Sequence, residues 1–172
     1  MSTRQALREL HIRLAQRLQE ARTQPHTTMQ WLAVQVASRP YLLALQQAGE
    51  IFVWQEPLPL PYTQPWFWGV VNLRGTLTGV VDVVGLQGHI RRHPHKGMEP
   101  PHLVALHDEL EVNAALVVDR LLGLRSAQEL QSTDVENAQP WVQTYIDAEG
   151  QTWQALDLQR LSQAAPFLCV SA

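Results

Sequence analysis

The stretch Gly69-Val70-Val71-Asn72-Leu73-Arg74-Gly75-Thr76-Leu77-Thr78-Gly79-Val80-Val81-Asp82 decides how this 172-residue chain is read. Two runs rich in β-branched residues flank Asn72-Leu73-Arg74-Gly75, and Gly75 supplies the positive φ that a tight turn needs. Residues 68–73 and 76–84 are therefore predicted as a hairpin of two buried strands. The turn leaves Arg74 projecting from a stiff corner. An arginine held that way is a pre-organised donor for a carboxylate or carbonyl of another chain. The competing reading pairs it internally, with Asp82 or Asp119, to fix the corner.

Working outward, the same period of two recurs on both sides. Trp31, Ala33, Val34 and Val36 begin a strand, Ser38-Arg39-Pro40 make a turn, and residues 41–45 return. Residues 51–54 form a third short apolar run. Pro57, Pro59, Pro61 and Pro65 follow; proline cannot donate to a ladder, so this connector is an extended crossing rather than a central strand. A polar stretch rich in His and Pro runs from Gly88 to Pro101 and reads as a loop. Beyond it, residues 102–107 and 112–119 flank the acidic turn Asp108-Glu109-Leu110-Glu111. Residues 141–146 and 151–156 flank Asp147-Ala148-Glu149-Gly150, and a short helix over 157–164 closes the pattern. Eight or more short strands with helices only at the ends argue for an all-β barrel or pair of barrels.

The N-terminal segment follows a different period. Leu7, Leu10, Leu14 and Leu18 fall on one stripe of a helix, with Arg and Glu around it. The domain reading is thus an amphipathic helical extension over 1–28 and a β domain over 29–172, with about 29–87 and 100–168 contributing two barrels. The stripe can pack on its own domain or on a partner.

Composition narrows the function. Thirteen Lys and Arg against sixteen Asp and Glu give a net charge of -3, which lacks the basic surplus that nucleic acid binding uses. One cysteine, Cys169, excludes an internal disulfide and suits a reducing cytoplasm. The apolar stretches are too short to span a membrane, and the first twenty residues show no apolar signal region. No membrane insertion and no secretory signal are expected. His89, His93, His95 and His102 with Glu99 cluster in or beside one loop, but their spacing is irregular and matches no metal pattern. No nucleophile elbow, phosphate-cradling loop or paired-carboxylate site is recognisable. A non-enzymatic protein without cofactor or metal is the expectation; a small-ligand or metal-binding β-barrel is the rival class.

Gly69-Val70-Val71-Asn72-Leu73-Arg74-Gly75 followed by Val80-Val81-Asp82 resembles the CheW family of bacterial chemosensory adaptors, whose pattern is roughly G-V-x-N-L-R-G and then V-x-D-L. Residues 31–54 resemble the opening strands, with Glu50 near the family's glutamate. Residues 115–124, Ala-Leu-Val-Val-Asp-Arg-Leu-Leu-Gly-Leu, look like the second hallmark and contain Val118, Asp119 and Gly123. The likeness covers about residues 29–168. Gly79 stands where the family often has proline, Val83-Val84 replaces the usual Leu-Arg, and Ala115 replaces a common glycine. The Leu-rich helix and the Trp-rich approach to the motif look like the PilI-type members, which serve type IV pili and twitching motility; flagellar chemotaxis is the alternative.

The resemblance implies two packed five-stranded SH3-like barrels with an N-terminal helix and a short C-terminal helix. It implies a non-catalytic, cytoplasmic scaffold linking the tip of a methyl-accepting chemoreceptor to the regulatory domain of a CheA-type histidine kinase. It places Arg74 at the contact, with Asn72, Leu73 and Gly75 building its turn and Glu50 nearby. Val70, Val80 and Val118 are expected to line an apolar groove. Gly69, Asp82 and Gly123 are expected to shape corners, while Asp119 either pairs internally or reaches a partner.

Overall fold

Through most of the strands both phases of the two-residue alternation are apolar, and a strand of that kind buries both its faces. The computed structural model, which describes residues 9, 12–19, 29–89, 91 and 99–172, achieves this with two sheets around a shared core. In chain order, helix α1 (12–19) precedes β1 (Gln30–Val36), β2 (Arg39–Ala44), β3 (Ala48–Val53), β4 (Phe67–Leu73) and β5 (Thr76–Val81). Helix α2 (Val83–Leu86), β6 (His102–Leu106), β7 (Ala114–Val118), β8 (Arg120–Ser126) and β9 (Leu130–Ser132) follow. The chain ends with β10 (Val142–Asp147), β11 (Thr152–Leu156), α3 (Leu158–Gln163) and α4 (Ala165–Leu168).

One sheet has six strands in the order β8-β1-β2-β11-β10-β9, and the other has five in the order β3-β6-β7-β5-β4. Both halves of the β region contribute strands to both sheets. The six-stranded count, against an expectation of five, includes the three-residue β9. Each sheet curls on itself. Trp31 on β1 and Tyr145 on β10 have ring centroids 5.7 Å apart, although three strand spacings in a flat sheet would separate their backbones by about 14 Å. Trp54, just after β3, meets Trp68 on β4 at 6.2 Å, so the two edge strands of the five-stranded sheet converge.

The alternation distributes side chains among three clusters. On β1, Leu32, Val34 and Val36 enter the core shared by the sheets, whereas Trp31 and Ala33 fill the interior of the six-stranded sheet. On β7, Leu116 and Val118 enter the shared core, while Ala115 and Val117 fill the interior of the five-stranded sheet. A register slip would invert every assignment, so the pattern fixes the pairing. Trp66-Phe67-Trp68 departs from this rule: Trp66, which precedes β4, and Phe67 pack on the shared core while Trp68 enters the sheet interior, where the β4–β5 register shifts between Phe67 and Gly69. Leu18 of α1 is buried in the shared core with Leu14 packed against it, so this helix packs on its own domain. Leu7 and Leu10 lie outside the described residues.

Local differences from the sequence reading have identifiable causes. The predicted strand over 76–84 stops at Val81, because the Asp82 carboxylate accepts from Val84 N and Gly85 N and starts α2. The first hairpin turns at Ala37-Ser38, both at positive φ, and Pro40 already belongs to β2. The acidic turn is a short 3-10 helix over Asp108–Leu110, capped by His107 Nδ1 accepting from Glu109 N. Neither β9 nor α4 is evident from periodicity; three residues and four residues carry too little of it. No helix among the described residues is long and apolar enough to cross a membrane.

Candidate partner-binding site

The β4–β5 hairpin closes through a two-residue loop. Leu73 pairs with Thr76, and both Arg74 (φ +50°) and Gly75 (φ +86°) occupy the left-handed region. That geometry matches the right-handed twist of the strands it joins. Asn72 Oδ1 accepts from Gly75 N at 2.7 Å and braces the loop. Leu73 is buried in the sheet interior and anchors the corner from below. Arg74 is thereby forced outward, its side chain 75% exposed.

Its partner is neither Asp82 nor Asp119. Arg74 Nη2 lies 2.6 Å from Glu50 Oε1 on β3, and the guanidinium carbon lies 6.0 Å from the centroid of the Phe52 ring. Because β3 and β4 are opposite edges of the five-stranded sheet, this pair spans the end of the barrel. A groove of about 280 Å³ adjoins it, lined by Glu50, Phe52, Leu73, Thr76 and Asp108 among others. Leu77 is exposed on the neighbouring strand. The corner thus offers one cation, one anion and an apolar neighbour on a rigid support.

The two acids at the ends of β5 and β7, Asp82 and Asp119, have a different cation. Arg91, between α2 and β6 in the chain, has its side chain only 8% exposed. It bonds Asp82 at 3.1 Å, pairs with Asp119, reaches Val117 O at 3.4 Å and lies over the Trp68 ring at 5.3 Å. Asp119 Oδ2 also accepts from Ala37 N at 2.6 Å, which ties the first hairpin turn to the same knot. Burial pushes the Asp82 carboxyl above its usual value, against the pull of Arg91 and the two backbone N–H bonds. Asp119 therefore has internal partners, and Asp82 is a buried cap. Sequence reasoning passed over Arg91. The signal was present: two carboxylates directly after valine-rich strands, one of them fully buried, call for a nearby cation, and Val83-Val84 does not supply one.

The other expected site residues disperse. Val80 fills the barrel interior and Val118 the shared core, both fully buried, so neither lines an open groove; they lie on strands buried on both faces. Val70 is half-buried and exchanges two backbone bonds with Leu58 of the proline-rich connector. Gly69, at φ +126°, permits that approach: a Cβ there would drive into the Leu58 carbonyl and come within 2.9 Å of Pro59 Cα. Gly123 faces Ala33 where the β1–β8 register shifts. Gly79 donates its N–H to Asn113 O at 2.9 Å, a bond that proline could not make. Of the histidine loop, His93 and His95 lie outside the described residues, and Glu99 pairs with Arg120. Among the described residues no three His, Cys, Asp or Glu side chains are placed to hold a metal ion.

Comparisons with known proteins bear on the whole of this architecture. A 48-residue stretch, 28% of the chain, is 38% identical to the chemotaxis protein CheW of Bacillus subtilis (strain 168); the match spans about a third of that relative, 31% of its length. The fold is similar to the crystal structure of the scaffolding protein TtCheW from Thermoanaerobacter tengcongensis, with a TM-score of 0.62 and 17% identity over 76% of this chain and 90% of that one. The family model of the CheW-like domain matches residues 30–166, which takes in both sheets, the Arg74–Glu50 corner and the Arg91 knot. The chain belongs to the CheW-like domain family.

Proposed function

We propose that this chain is a non-catalytic adaptor of a chemosensory system, coupling the tip of a methyl-accepting receptor to the regulatory domain of a CheA-type histidine kinase. Membership of the CheW-like family supports the scaffold reading. One observation carries the choice of site: Arg74 and Glu50 form an exposed ion pair on a corner that the Asn72 brace and the buried Leu73 keep rigid. Rigid, exposed charges give a partner little ordering to impose on binding. The output assigned is type IV pilus twitching motility, on the Leu-rich N-terminal helix and Trp-rich approach, and the location is the cytoplasm at membrane receptor arrays.

The test is a titration of the full chain against a CheA-type regulatory domain and a receptor-tip fragment from the same genome. Saturable binding to either, weakened by Arg74→Ala with an unchanged unfolding midpoint, supports the adaptor and its site. Binding that Arg74→Ala leaves intact moves the contact elsewhere. Binding to neither overturns the adaptor reading. Pairing with the kinase of a flagellar gene cluster, in place of a pilus one, would reassign the output.

A further inference from the structure

The proline-rich connector between β3 and β4 presents five consecutive apolar residues to solvent: Leu58, Pro59, Leu60, Pro61 and Tyr62 are all exposed. A run of that length on a surface is a fault of the fold unless it serves a contact. The run is not slack chain. Leu58 is bridged to Val70 of β4 at one end, and Thr63 to Ser171, beyond α4, at the other. The five residues therefore stand as a ridge held at both ends.

Tyr62 is the residue that needs explaining. Pro61 and Tyr62 turn the chain, and Tyr62 sits at φ +57°. Glycine and asparagine enter that region readily, whereas a bulky aromatic does so at a cost. Packing inside the fold does not offset the cost, because Tyr62 is 88% exposed. The strain holds an amphipathic ring in solvent, the kind of group that anchors protein contacts. The backbone of the ridge is already engaged: Leu58 O accepts from Val70 N, Leu60 O from Thr63 Oγ1 and Tyr62 O from Ala172 N. Pro59 and Pro61 have no N–H to give, so the ridge is a poor template for a further strand and offers shape and apolar side chains instead. Although 17% of the chain is charged, residues 57–73 carry no charged side chain, and neither do residues 161–172, whose end pairs with the ridge.

We propose that the ridge over residues 58–62 is a dimer contact, and that its occupant is the same ridge of a second copy of this chain across a two-fold axis. In such a contact the same patch faces itself, so a charged ridge would repel its mate and an uncharged one does not. The same lack of charge gives an anionic membrane surface or a charged peptide nothing to hold. The prolines fix the ridge in advance, which lowers the ordering cost of association. A ridge of this size makes an interface at the small end of the range, with a dissociation constant of about 10–100 μM. The contact uses neither Arg74 nor Glu50, so it stands or falls independently of the adaptor reading.

The experiment is sedimentation equilibrium of the full chain from about 5 to 500 μM, a span that brackets that constant, with thermal unfolding of the dilute protein alongside. The weight-average mass should rise from monomer toward dimer and no further. Tyr62→Gly should weaken association at least tenfold, as the loss of an anchor does. The same variant should keep or raise the unfolding midpoint, because glycine adopts φ +57° without strain. Leu60→Asp, at an exposed position, puts like charges across the axis and should abolish the dimer, while Arg74→Ala should leave it intact. A chain that stays monomeric at the highest concentration overturns the proposal. So does association that neither ridge variant weakens, or that Arg74→Ala removes. Growth past the dimer overturns the two-fold arrangement. A lower unfolding midpoint for Tyr62→Gly would mean that the ring serves the fold, which overturns the strain argument on which the contact rests.

Discussion

Two arginines of this protein, Arg74 and Arg91, each pair with acids from distant strands, and they do opposite work. Arg74 reaches Glu50 in solvent, with side chains 75% and 44% exposed, so water and salt screen the pair and its contribution to stability is small. Arg91 reaches Asp82 and Asp119 beneath the Trp68 ring, where Asp82 is almost completely buried. There the desolvation of each charge is offset only while all three remain together. One arginine is available to a partner because the fold does not depend on it. The other is unavailable because the fold does.

The largest expected effect follows from the buried knot. Arg91→Met removes the cation from the buried Asp82 and from Asp119, and should lower stability by about 3–5 kcal/mol in urea or thermal unfolding; a loss below about 1 kcal/mol would erase the distinction between the two arginines. Next comes Gly69→Ala, which adds a methyl against the Leu58 carbonyl at φ +126°. It should cost about 1–3 kcal/mol and loosen the proline-rich connector, read as faster hydrogen exchange at Val70 N. Arg74→Ala should change stability by less than about 1 kcal/mol, yet weaken partner binding by tenfold or more if the corner is a binding hot spot. Charge reversal sharpens the comparison: Glu50→Arg with Arg74→Glu should restore the fold's pair without restoring partner binding.

The smallest effect is visible only against pH. The Trp153 ring N–H, with the backbone N–H groups of Gln151 and Glu149, holds the Asp147 carboxyl below its usual value. A lowered folded pKa gives stability that is present above the unfolded value of about 3.9 and is lost as pH falls through the folded one. The stability gap between wild type and Asp147→Asn should therefore shrink as the solution is acidified below about pH 4. Asp82 has the opposite sign. Its carboxyl is raised, so the folded chain holds the proton longer than the unfolded one, and its contribution declines as pH rises from the ordinary Asp range through the folded value.

Much of the fold was legible because its signals are local. Asn72-Leu73-Arg74-Gly75 specifies a two-residue loop, and the loop has that form. Gly150 ends the turn after β10 at positive φ, as its place in Asp147-Ala148-Glu149-Gly150 implied. Asp157 caps α3. Less of the site was legible. Val80 and Val118 read as groove residues because a sequence pattern marks them apolar without saying which apolar environment they enter. One fills a barrel and the other the seam between barrels. Arg91 was hidden because its acids lie 9 and 28 residues away along the chain.

By itself the sequence determined most of the strands, the hairpin that presents Arg74, and membership of a family whose motif surrounds that turn. Those features depend on residues within a few positions of one another, where backbone sterics and alternation act directly. Only the tertiary structure decided that Arg74 pairs with Glu50, that Asp82 and Asp119 share Arg91, and that α1 covers its own core. These are matters of which distant groups must neutralise or bury one another once the sheets have curled, and chain spacing does not encode that distance.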